Sequence, residues 1–259
     1  MEKELQVIDY ISNWLKQYAL NAGVNGFVVG ISGGVDSAVT STLCARTGLK
    51  VLVLNMPIRQ PKAELSRATE HIDWLLTNFS NVEAHTIDLT DTFHQLERTF
   101  PSMTVENHLA MANSRARLRM TTLYALGQTH GLLVTGTGNK IEDFGVGFFT
   151  KYGDGGVDLS PIADLTKTEV FELAGSLNIV DSILTAKPTD GLWEDGRSDE
   201  DQMGATYPEL EWAMDFTGNE ETLNPRQKEV LAIYHKLNKA NKHKMEPIPV
   251  CLLPENIKC

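Results

Sequence analysis

The octapeptide Gly30–Ser37, Gly-Ile-Ser-Gly-Gly-Val-Asp-Ser, combines residue types that bind phosphate. It follows the apolar run Phe27–Val29 and precedes a helical pattern, which predicts a strand, a loop and a helix in succession. The backbone N–H groups of such a loop and the N-terminus of the helix point at one spot and favour an anion there. The glycines allow close approach of the backbone, and the serines add hydroxyl donors.

Asp36 is the acidic residue of this loop. A carboxylate beside phosphates is repulsive unless a divalent cation lies between them. The loop therefore predicts a nucleotide phosphate together with Mg²⁺. The alternative interpretation is a plain glycine- and serine-rich turn in an α/β domain.

Two commoner phosphate-binding loops are excluded. The Walker pattern ends in Gly-Lys-Ser/Thr, which the chain lacks, and the dinucleotide fingerprint fails at Gly136–Ile141 because Ile141 replaces its third glycine. The remaining pattern, Ser-Gly-Gly-x-Asp-Ser, resembles the pyrophosphate-binding loop of the ATP pyrophosphatase superfamily, whose members cleave ATP between the α and β phosphates and adenylate a carbonyl oxygen. This resemblance implies ATP contacts from Gly30, Ile31, Ser32, Gly33, Gly34, Val35, Asp36 and Ser37.

The composition is that of an ordinary globular protein of 259 residues, with a net charge of −11. This charge argues against a nucleic-acid-binding face. The three cysteines, Cys44, Cys251 and Cys259, contain no C-x-x-C pair, so a disulfide framework or structural zinc site is not expected. No apolar run is long enough for a membrane span, and the charged N-terminal residues do not form a signal peptide. We expect a cytoplasmic protein.

Apolar runs alternate with helical patterns through the first half of the chain. This alternation predicts an α/β fold, a doubly wound, mostly parallel sheet with helices on both faces, in a single domain over residues 1–259. Ligands bind beyond the carboxyl ends of such strands, so the loops after Ile31, Leu54 and Val134 should meet. The predicted strands lie near Phe27–Ile31, Val51–Leu54, Ala84–Ile87 and Leu132–Val134.

The second half contains two long segments with few aliphatic residues, the glycine-rich residues 136–158 and the acidic residues 187–207. Long loops in a compact protein are usually functional or disordered, and we expect these to be mobile without ligand. Between and after them, Thr166-Lys167-Thr168-Glu169 matches a capping box that opens a helix, and Asn224-Pro225 opens another that reaches about Lys239. A long helix is also predicted near residues 105–130.

The string Gly147–Asp158, which contains Phe-Phe-Thr-Lys-Tyr-Gly-Asp-Gly-Gly, is similar to the signature of NAD synthetases. The strings Arg115–Met120 and Lys187–Thr189 strengthen this resemblance, which covers nearly the whole chain. It implies a Rossmann-like ATP pyrophosphatase fold and a homodimer. It also implies a reaction in which ATP adenylates the nicotinate carboxylate of deamido-NAD and ammonia displaces AMP to give NAD.

The resemblance implies roles for individual residues. Asp36 and Glu142 match Mg²⁺ ligands, and Asp36 and Lys167 match the catalytic positions. Further ATP contacts match Thr137, Lys167 and Thr189, and deamido-NAD contacts match Arg117, Lys151, Asp158, His243 and Lys244.

The residue types alone leave other interpretations open. Glu142 would otherwise be a surface acid, Arg117 part of a solvated helix face, and His243-Lys244 a pair of cations favoured at a helix end. Lys167 in the first turn of its helix opposes the helix dipole, which favours a functional role. The chain also departs from many relatives, which have Gln in place of Val35 and Ala-Ala-Glu in place of residues 140–142.

Two other function classes remain as alternatives. One is another adenylating enzyme with the same loop. A GMP synthetase would lack the string from Phe148 to Asp158, and a tRNA-thiolating enzyme would need a basic face. A nucleotide sensor without catalysis would bind ATP and not convert it to AMP.

The nitrogen source gives the first testable prediction. Glutamine-dependent relatives carry a separate amidase domain, and only about thirty residues precede the loop here, too few for one. We therefore expect ammonium to support amide formation by the purified chain and glutamine freed of ammonia not to do so. Equal turnover with both nitrogen sources would contradict this expectation.

Overall fold

A computed structural model describes residues 2–60, 62–189 and 198–258 of the chain. Pro61, Cys259 and part of the predicted acidic loop, residues 190–197, therefore lie outside the described residues. Within the described ranges, all strand pairs are parallel and the strand order is β3-β2-β1-β4, which confirms the parallel α/β fold. The strands are β1 (Gly26–Gly30), β2 (Lys50–Asn55), β3 (Val82–Thr86) and β4 (Leu132–Val134).

Helices connect and follow these strands. The first half holds α1 (Glu2–Ala22), α2 (Val35–Arg46), α3 (Lys62–Asn78), α4 (Thr90–Thr99), α5 (Ser102–Val105) and α6 (His108–His130). The second half holds α7 (Lys167–Ser176), α8 (Asp181–Leu184), α9 (Asp199–Met203), α10 (Tyr207–Asp215) and α11 (Pro225–Met245). Within the described part of the chain, no helix has the length and apolar character needed to cross a bilayer.

Local side-chain hydrogen bonds decide where several helices begin. The predicted capping box at Thr166 forms, and the predicted N-cap Asn224 caps α11, where Gln227 completes a capping box that was not predicted. Helix α11 continues to Met245, beyond the predicted end near Lys239. The helix predicted over residues 105–130 begins only at α6, because the Asn107 side chain accepts a hydrogen bond from the Ala110 N–H and ends the preceding turn. Helix α4 lies in a region for which no helix was predicted.

Two hydrophobic clusters cover the two faces of the sheet. The odd-numbered side chains of β1 and β2, such as Phe27 and Val53, pack against α1, α2, α3 and α7. The alternate side chains, such as Val28 and Leu52, pack against α4 and α6. Because successive strand residues point to opposite faces, continuous apolar runs of this kind are buried on both sides.

A third hydrophobic cluster lies beyond the sheet. Residues Ile141–Val146, within the predicted glycine-rich loop, form a π-helical turn and pack against α9, α10 and α11. The prediction of a long loop is thus wrong for this stretch, because Ile141 and Val146 are buried in the third cluster and fix the turn. Single π-helical turns occur frequently at functional sites.

Gly26 provides a test of the strand register. Its φ is +151°, and a Cβ atom there would lie 1.9 Å from the Lys50 carbonyl oxygen of the paired strand. We expect Gly26→Ala to lower the free energy of unfolding by about 3 kcal/mol or more, because the neighbouring backbone must move. Urea unfolding followed by circular dichroism measures this change.

Gly175→Ala is the matched control. Gly175 is exposed in α7, and an added Cβ meets no atom within 4 Å. Alanine should stabilise this position by about 0.5–1 kcal/mol, because glycine loses more conformational freedom on folding. Equal stability of the Gly26→Ala variant and the wild type would show that β1 and β2 do not pair in this register.

Candidate active site

The loop between β1 and α2 has the geometry of an anion-binding turn. Helix α2 begins after Gly34, and no side chain caps its N-terminus. The hydroxyls of Ser32 and Ser37 lie 3.1 Å apart, and the Gly34 N–H donates to the Ser32 Oγ at 3.2 Å. The first turn of α2 therefore keeps N–H groups that are not bonded within the helix, directly beside two hydroxyls.

Helix α3 supports this loop from behind. Gly33 has a φ of +85°, and a Cβ there would lie 2.7 Å from the Glu64 carbonyl oxygen. The Arg67 Nε donates to the Gly33 carbonyl at 3.2 Å. Only glycine fits this conformation and this close approach, so α3 holds the loop in shape.

Lys167 lies at the centre of the site. Its Nζ is 2.6 Å from Asp36 Oδ2 and 2.9 Å from Glu142 Oε1. The side chain of Lys167 is 4% exposed, and those of Asp36 and Glu142 are 16% and 15% exposed. The predicted metal ligands and the predicted catalytic lysine thus form one ion cluster. Two carboxylates and one ammonium leave this cluster one negative charge in excess when all three are ionised.

Three separate elements supply this cluster. Asp36 lies in the first turn of α2, Glu142 in the π-helical turn, and Lys167 at the first position of α7. The position of Lys167 opposes the helix dipole, but the two carboxylates compensate for it. Burial alone would lower the pKa of Lys167, whereas Asp36 and Glu142 raise it above its ordinary value, so the ammonium stays charged.

Asn139 bonds to the Asp36 carboxylate and to the backbone of Glu142, a role that the sequence did not reveal. Its fully buried side chain donates from Nδ2 to Asp36 Oδ1 at 3.1 Å. Its Oδ1 accepts from the backbone N–H groups of Ile141 and Glu142, each at 3.1 Å. One amide therefore joins α2 to the start of the π-helical turn. In the sequence, Asn139 occurs only within the rejected dinucleotide pattern and carries no distinguishing signal.

Tyr207 is a second residue that the sequence did not single out. Its hydroxyl donates to Glu142 Oε1 at 2.5 Å, and the Lys167 Nζ lies 4.8 Å from the centre of its ring. Burial tends to raise the pKa of Glu142, but the Lys167 ammonium and the Tyr207 hydroxyl lower it overall. Glu142 is therefore held as a carboxylate.

Asp36 and Glu142 are too few to bind a metal ion through protein ligands alone, but they suit Mg²⁺. In the described ranges, no three His, Cys, Asp or Glu side chains form a group that would hold a metal ion. Mg²⁺ usually binds one or two carboxylates and completes its shell with water and substrate phosphates. Asp36 and Glu142, beside the phosphate-type loop, match that donor set.

The basic residues matched to deamido-NAD form a second group, which joins the glycine-rich segment to α11. The Arg117 guanidinium donates to the Lys151 carbonyl at 3.3 Å, and the Lys151 Nζ donates to the His243 carbonyl at 2.7 Å. The Lys244 Nζ donates to the Phe149 carbonyl at 2.7 Å. The side chains of Arg117, Lys151 and Lys244 thus bond to backbone carbonyls, and His243 takes part through its own carbonyl.

Asp158 lies apart from this network. Its Oδ1 accepts from the Tyr124 hydroxyl at 3.0 Å, and its Oδ2 accepts from the Val134 N–H at 2.8 Å. These bonds attach the end of the glycine-rich segment to β4 and α6. Among the remaining ATP-matched residues, the Thr189 hydroxyl donates to Glu64 Oε1 at 3.0 Å, and Thr137 is half-buried in the segment after β4.

A cavity of about 180 Å³ lies in the glycine-rich segment. Its lining includes Gly138, Asp143, Phe149, Asp154 and Lys244. Burial raises the pKa of the Asp143 carboxyl to about 8, and nearby carboxylates add to the shift, so this group is mostly protonated at neutral pH. Among the residues matched to deamido-NAD, Lys244 lines this cavity.

Comparison with known proteins finds relatives over most of the chain. A family model described as NAD synthase matches residues 7–248. The NH(3)-dependent NAD(+) synthetase of Mesoplasma florum is 37% identical over 223 residues, which are 85% of this chain and 88% of that protein.

Two solved structures share the fold over almost their whole length. The NMN synthetase of Francisella tularensis superposes with a TM-score of 0.84 at 32% identity, covering 97% of this chain and 98% of that one. The NH3-dependent NAD synthetase of Campylobacter jejuni superposes with a TM-score of 0.77 at 25% identity, covering 96% and 99% of the two chains.

Replacement of Lys167 tests the ion cluster in the protein without ligands. Lys167→Met would leave Asp36 and Glu142 buried together without their cation. Breaking a buried ion pair in this way costs about 3–5 kcal/mol, and we expect that loss in the free energy of unfolding. Urea unfolding at neutral pH measures it.

Lys140→Met serves as the control, because Lys140 forms a partly exposed pair with Asp164 at 3.3 Å. Surface pairs contribute about 0–1 kcal/mol, so this variant should remain close to the wild type. Similar small losses in both variants would mean that Lys167 does not hold the two carboxylates in solution.

Proposed function

Since the chain belongs to the NAD synthase family, we propose that Asp36, Glu142 and Lys167 form the centre at which it amidates deamido-NAD to NAD. The chain is a ligase that forms a C–N bond with ammonia in an ATP-dependent reaction, the last step of NAD biosynthesis. The observation that carries the residue assignment is the buried Lys167 ammonium between two carboxylates beside a phosphate-type loop.

The chemistry requires an activated acyl group, because a carboxylate is a poor electrophile. A nicotinate carboxylate oxygen attacks the α-phosphorus of ATP, and the bond to pyrophosphate breaks. Ammonia then attacks the carboxyl carbon and loses a proton. The bond from that carbon to the bridging oxygen breaks, and AMP leaves with this oxygen. The products are the amide, AMP and pyrophosphate.

The loop and Lys167 meet the demands of the first step. Negative charge grows on the departing pyrophosphate, and fixed donors stabilise it without reorganisation. The N-terminus of α2 and the hydroxyls of Ser32 and Ser37 provide such donors around the β1–α2 turn. We assign this turn, residues 30–37, together with Thr137, Lys167 and Thr189, to ATP.

Asp36 and Glu142 would hold Mg²⁺ when ATP binds. The ion would neutralise phosphate charge and so lower the barrier to pyrophosphate departure. Lys167 bonds to these same two carboxylates, so its ammonium would lie near a phosphate that they hold through Mg²⁺. We therefore infer that Lys167 acts on ATP, whereas the metal joins ATP to the protein.

Arg117, Lys151, His243 and Lys244 are assigned to deamido-NAD, together with Asp158. They concentrate positive charge where α11 meets the glycine-rich segment, in a chain whose net charge is −11. A dinucleotide carries two phosphates, and clustered cations of this kind suit it. The side chains of Arg117, Lys151 and Lys244 bond to backbone carbonyls, which a phosphate would replace as acceptor.

A second candidate substrate is nicotinate mononucleotide. The observation in its favour is the likeness to the NMN synthetase of Francisella tularensis. The chemistry at the carboxyl group is the same in both cases, so only recognition of the AMP half of deamido-NAD differs. Comparison of kcat/KM for the two substrates separates the candidates.

Three further proposals concern the state of the protein. We propose one working domain, because the ion cluster takes side chains from elements of the first and third hydrophobic clusters. A homodimer is supported by Ile248, Val250 and Leu252, which are 66%, 73% and 84% exposed and which a second copy would cover. A cytoplasmic location fits the free thiols of Cys44 and Cys251.

The experiment that tests the function is direct. The purified chain is incubated with ATP, Mg²⁺, ammonium and either deamido-NAD or nicotinate mononucleotide. We expect amide, AMP and pyrophosphate in equal amounts, with deamido-NAD the better substrate. ATP binding without AMP would instead indicate a nucleotide sensor.

Asp36→Asn tests the metal assignment in the same assay. A neutral amide is a weaker Mg²⁺ ligand, and we expect turnover to fall on the order of a hundredfold. Asp9→Asn is the matched control, because Asp9 is an exposed partner of Arg46 far from any loop of the site. Near-normal turnover of Asp36→Asn at saturating Mg²⁺ would refute the assignment.

A further inference from the structure

We propose that Tyr207 is a positioning residue for this reaction, one that sets the orientation of the Glu142 carboxylate. The inference rests on the proposed function, in which Glu142 is a metal ligand. Tyr207 is 4% exposed and belongs to the third hydrophobic cluster, where an aromatic side chain would ordinarily serve packing alone. Its hydroxyl is what distinguishes it.

The hydroxyl shares one carboxylate oxygen with Lys167. It donates to Glu142 Oε1 at 2.5 Å, and the Lys167 Nζ donates to the same oxygen at 2.9 Å. Neither Tyr207 nor Lys167 donates to Glu142 Oε2, so that oxygen is available to bind a cation. Two fixed donors on one oxygen also restrict rotation of the carboxylate about its last bond.

The backbone around Tyr207 is itself held in place. Tyr207 is the first residue of α10, which begins with a capping box formed by Thr206 and Glu209. Its N–H donates to Glu200 Oε1 at 2.9 Å, which links it to α9. The ring thus has little freedom, and its face lies 4.8 Å from the Lys167 Nζ. One side chain therefore contacts both Glu142 and its cation.

The hydroxyl also connects the site to the acidic segment that precedes it. Its oxygen lies 3.3 Å from Asp199 Oδ2, at the start of α9. A phenol carries one proton, so it donates to only one of the two carboxylates at a time. The shorter distance assigns that proton to Glu142. The orientation of Glu142 thereby depends on where α9 and α10 hold Tyr207.

Tyr207→Phe tests this role because it keeps the ring and removes only the hydroxyl. The measurement is binding of Mn²⁺, as a probe for Mg²⁺, to the protein with ATP, followed by the electron paramagnetic resonance signal of free Mn²⁺. We expect the affinity for Mn²⁺ to fall about tenfold, the size of one hydrogen bond to a charged group. The KM for deamido-NAD should change much less than the Mg²⁺ concentration for half-maximal turnover.

Tyr234→Phe is the matched control. Tyr234 is half-buried in the same hydrophobic cluster, packs against the His235 ring, and has no carboxylate of the ion cluster as a partner among the described contacts. It should bind Mn²⁺ as the wild type does. Equal Mn²⁺ affinity in Tyr207→Phe and Tyr234→Phe would overturn the proposal.

A double-mutant cycle separates this inference from the proposed function. If Tyr207 acts through Glu142, Tyr207→Phe should have little further effect on Mn²⁺ affinity in the Glu142→Gln background. Additive losses would contradict a role through Glu142. Unchanged Mn²⁺ binding in Glu142→Gln alone would refute the metal assignment. A loss in Glu142→Gln without a loss in Tyr207→Phe would refute only the role of Tyr207.

Discussion

The buried ion cluster of Lys167 with Asp36 and Glu142 is the interaction on which the arrangement of the site depends. Two carboxylates this close repel each other unless a cation lies between them, and here a side chain provides it at 2.6 and 2.9 Å. The cluster ties α2, the π-helical turn and α7 together. Any movement of one of these elements would leave a charge without its partner in a poorly solvated place.

The hydrophobic clusters explain why these elements can be held so closely. The first cluster fixes α2 and α7 on one face of the sheet, and the third fixes the π-helical turn against α10 and α11. The ion cluster lies where these two clusters meet. Asn139 and Tyr207 then act at short range, because each joins polar groups whose backbones the clusters have already positioned. Apolar packing sets the distances and hydrogen bonds set the orientations.

The basic residues Lys151 and Lys244 also form hydrogen bonds between parts of the chain that apolar packing has positioned. Lys151 and Lys244 bond to carbonyls across the boundary between the glycine-rich segment and α11, so they link these two parts of the chain. A dinucleotide phosphate would offer these cations stronger, charged acceptors. Under the proposed assignment, phosphate oxygens of the substrate would replace these backbone carbonyls as acceptors.

The sequence by itself determined the alternation of strands and helices, the parallel sheet, the β1–α2 phosphate-type loop and the family. These depend on local signals: buried apolar runs, capping boxes such as that at Thr166, and a loop whose glycines and serines are contiguous. The start of α6 was not predicted, because the Asn107 side-chain cap outweighed the local helical pattern. The π-helical turn was not predicted, because it is fixed by burial against helices distant in sequence. Asp36 was predicted from the phosphate-type loop, and Glu142 and Lys167 from the family resemblance, but the contact among the three was not predicted. Only the tertiary structure decided that Asn139 and Tyr207 share the site, since hydrogen bonds between residues 65 and 103 positions apart in sequence carry no local signature.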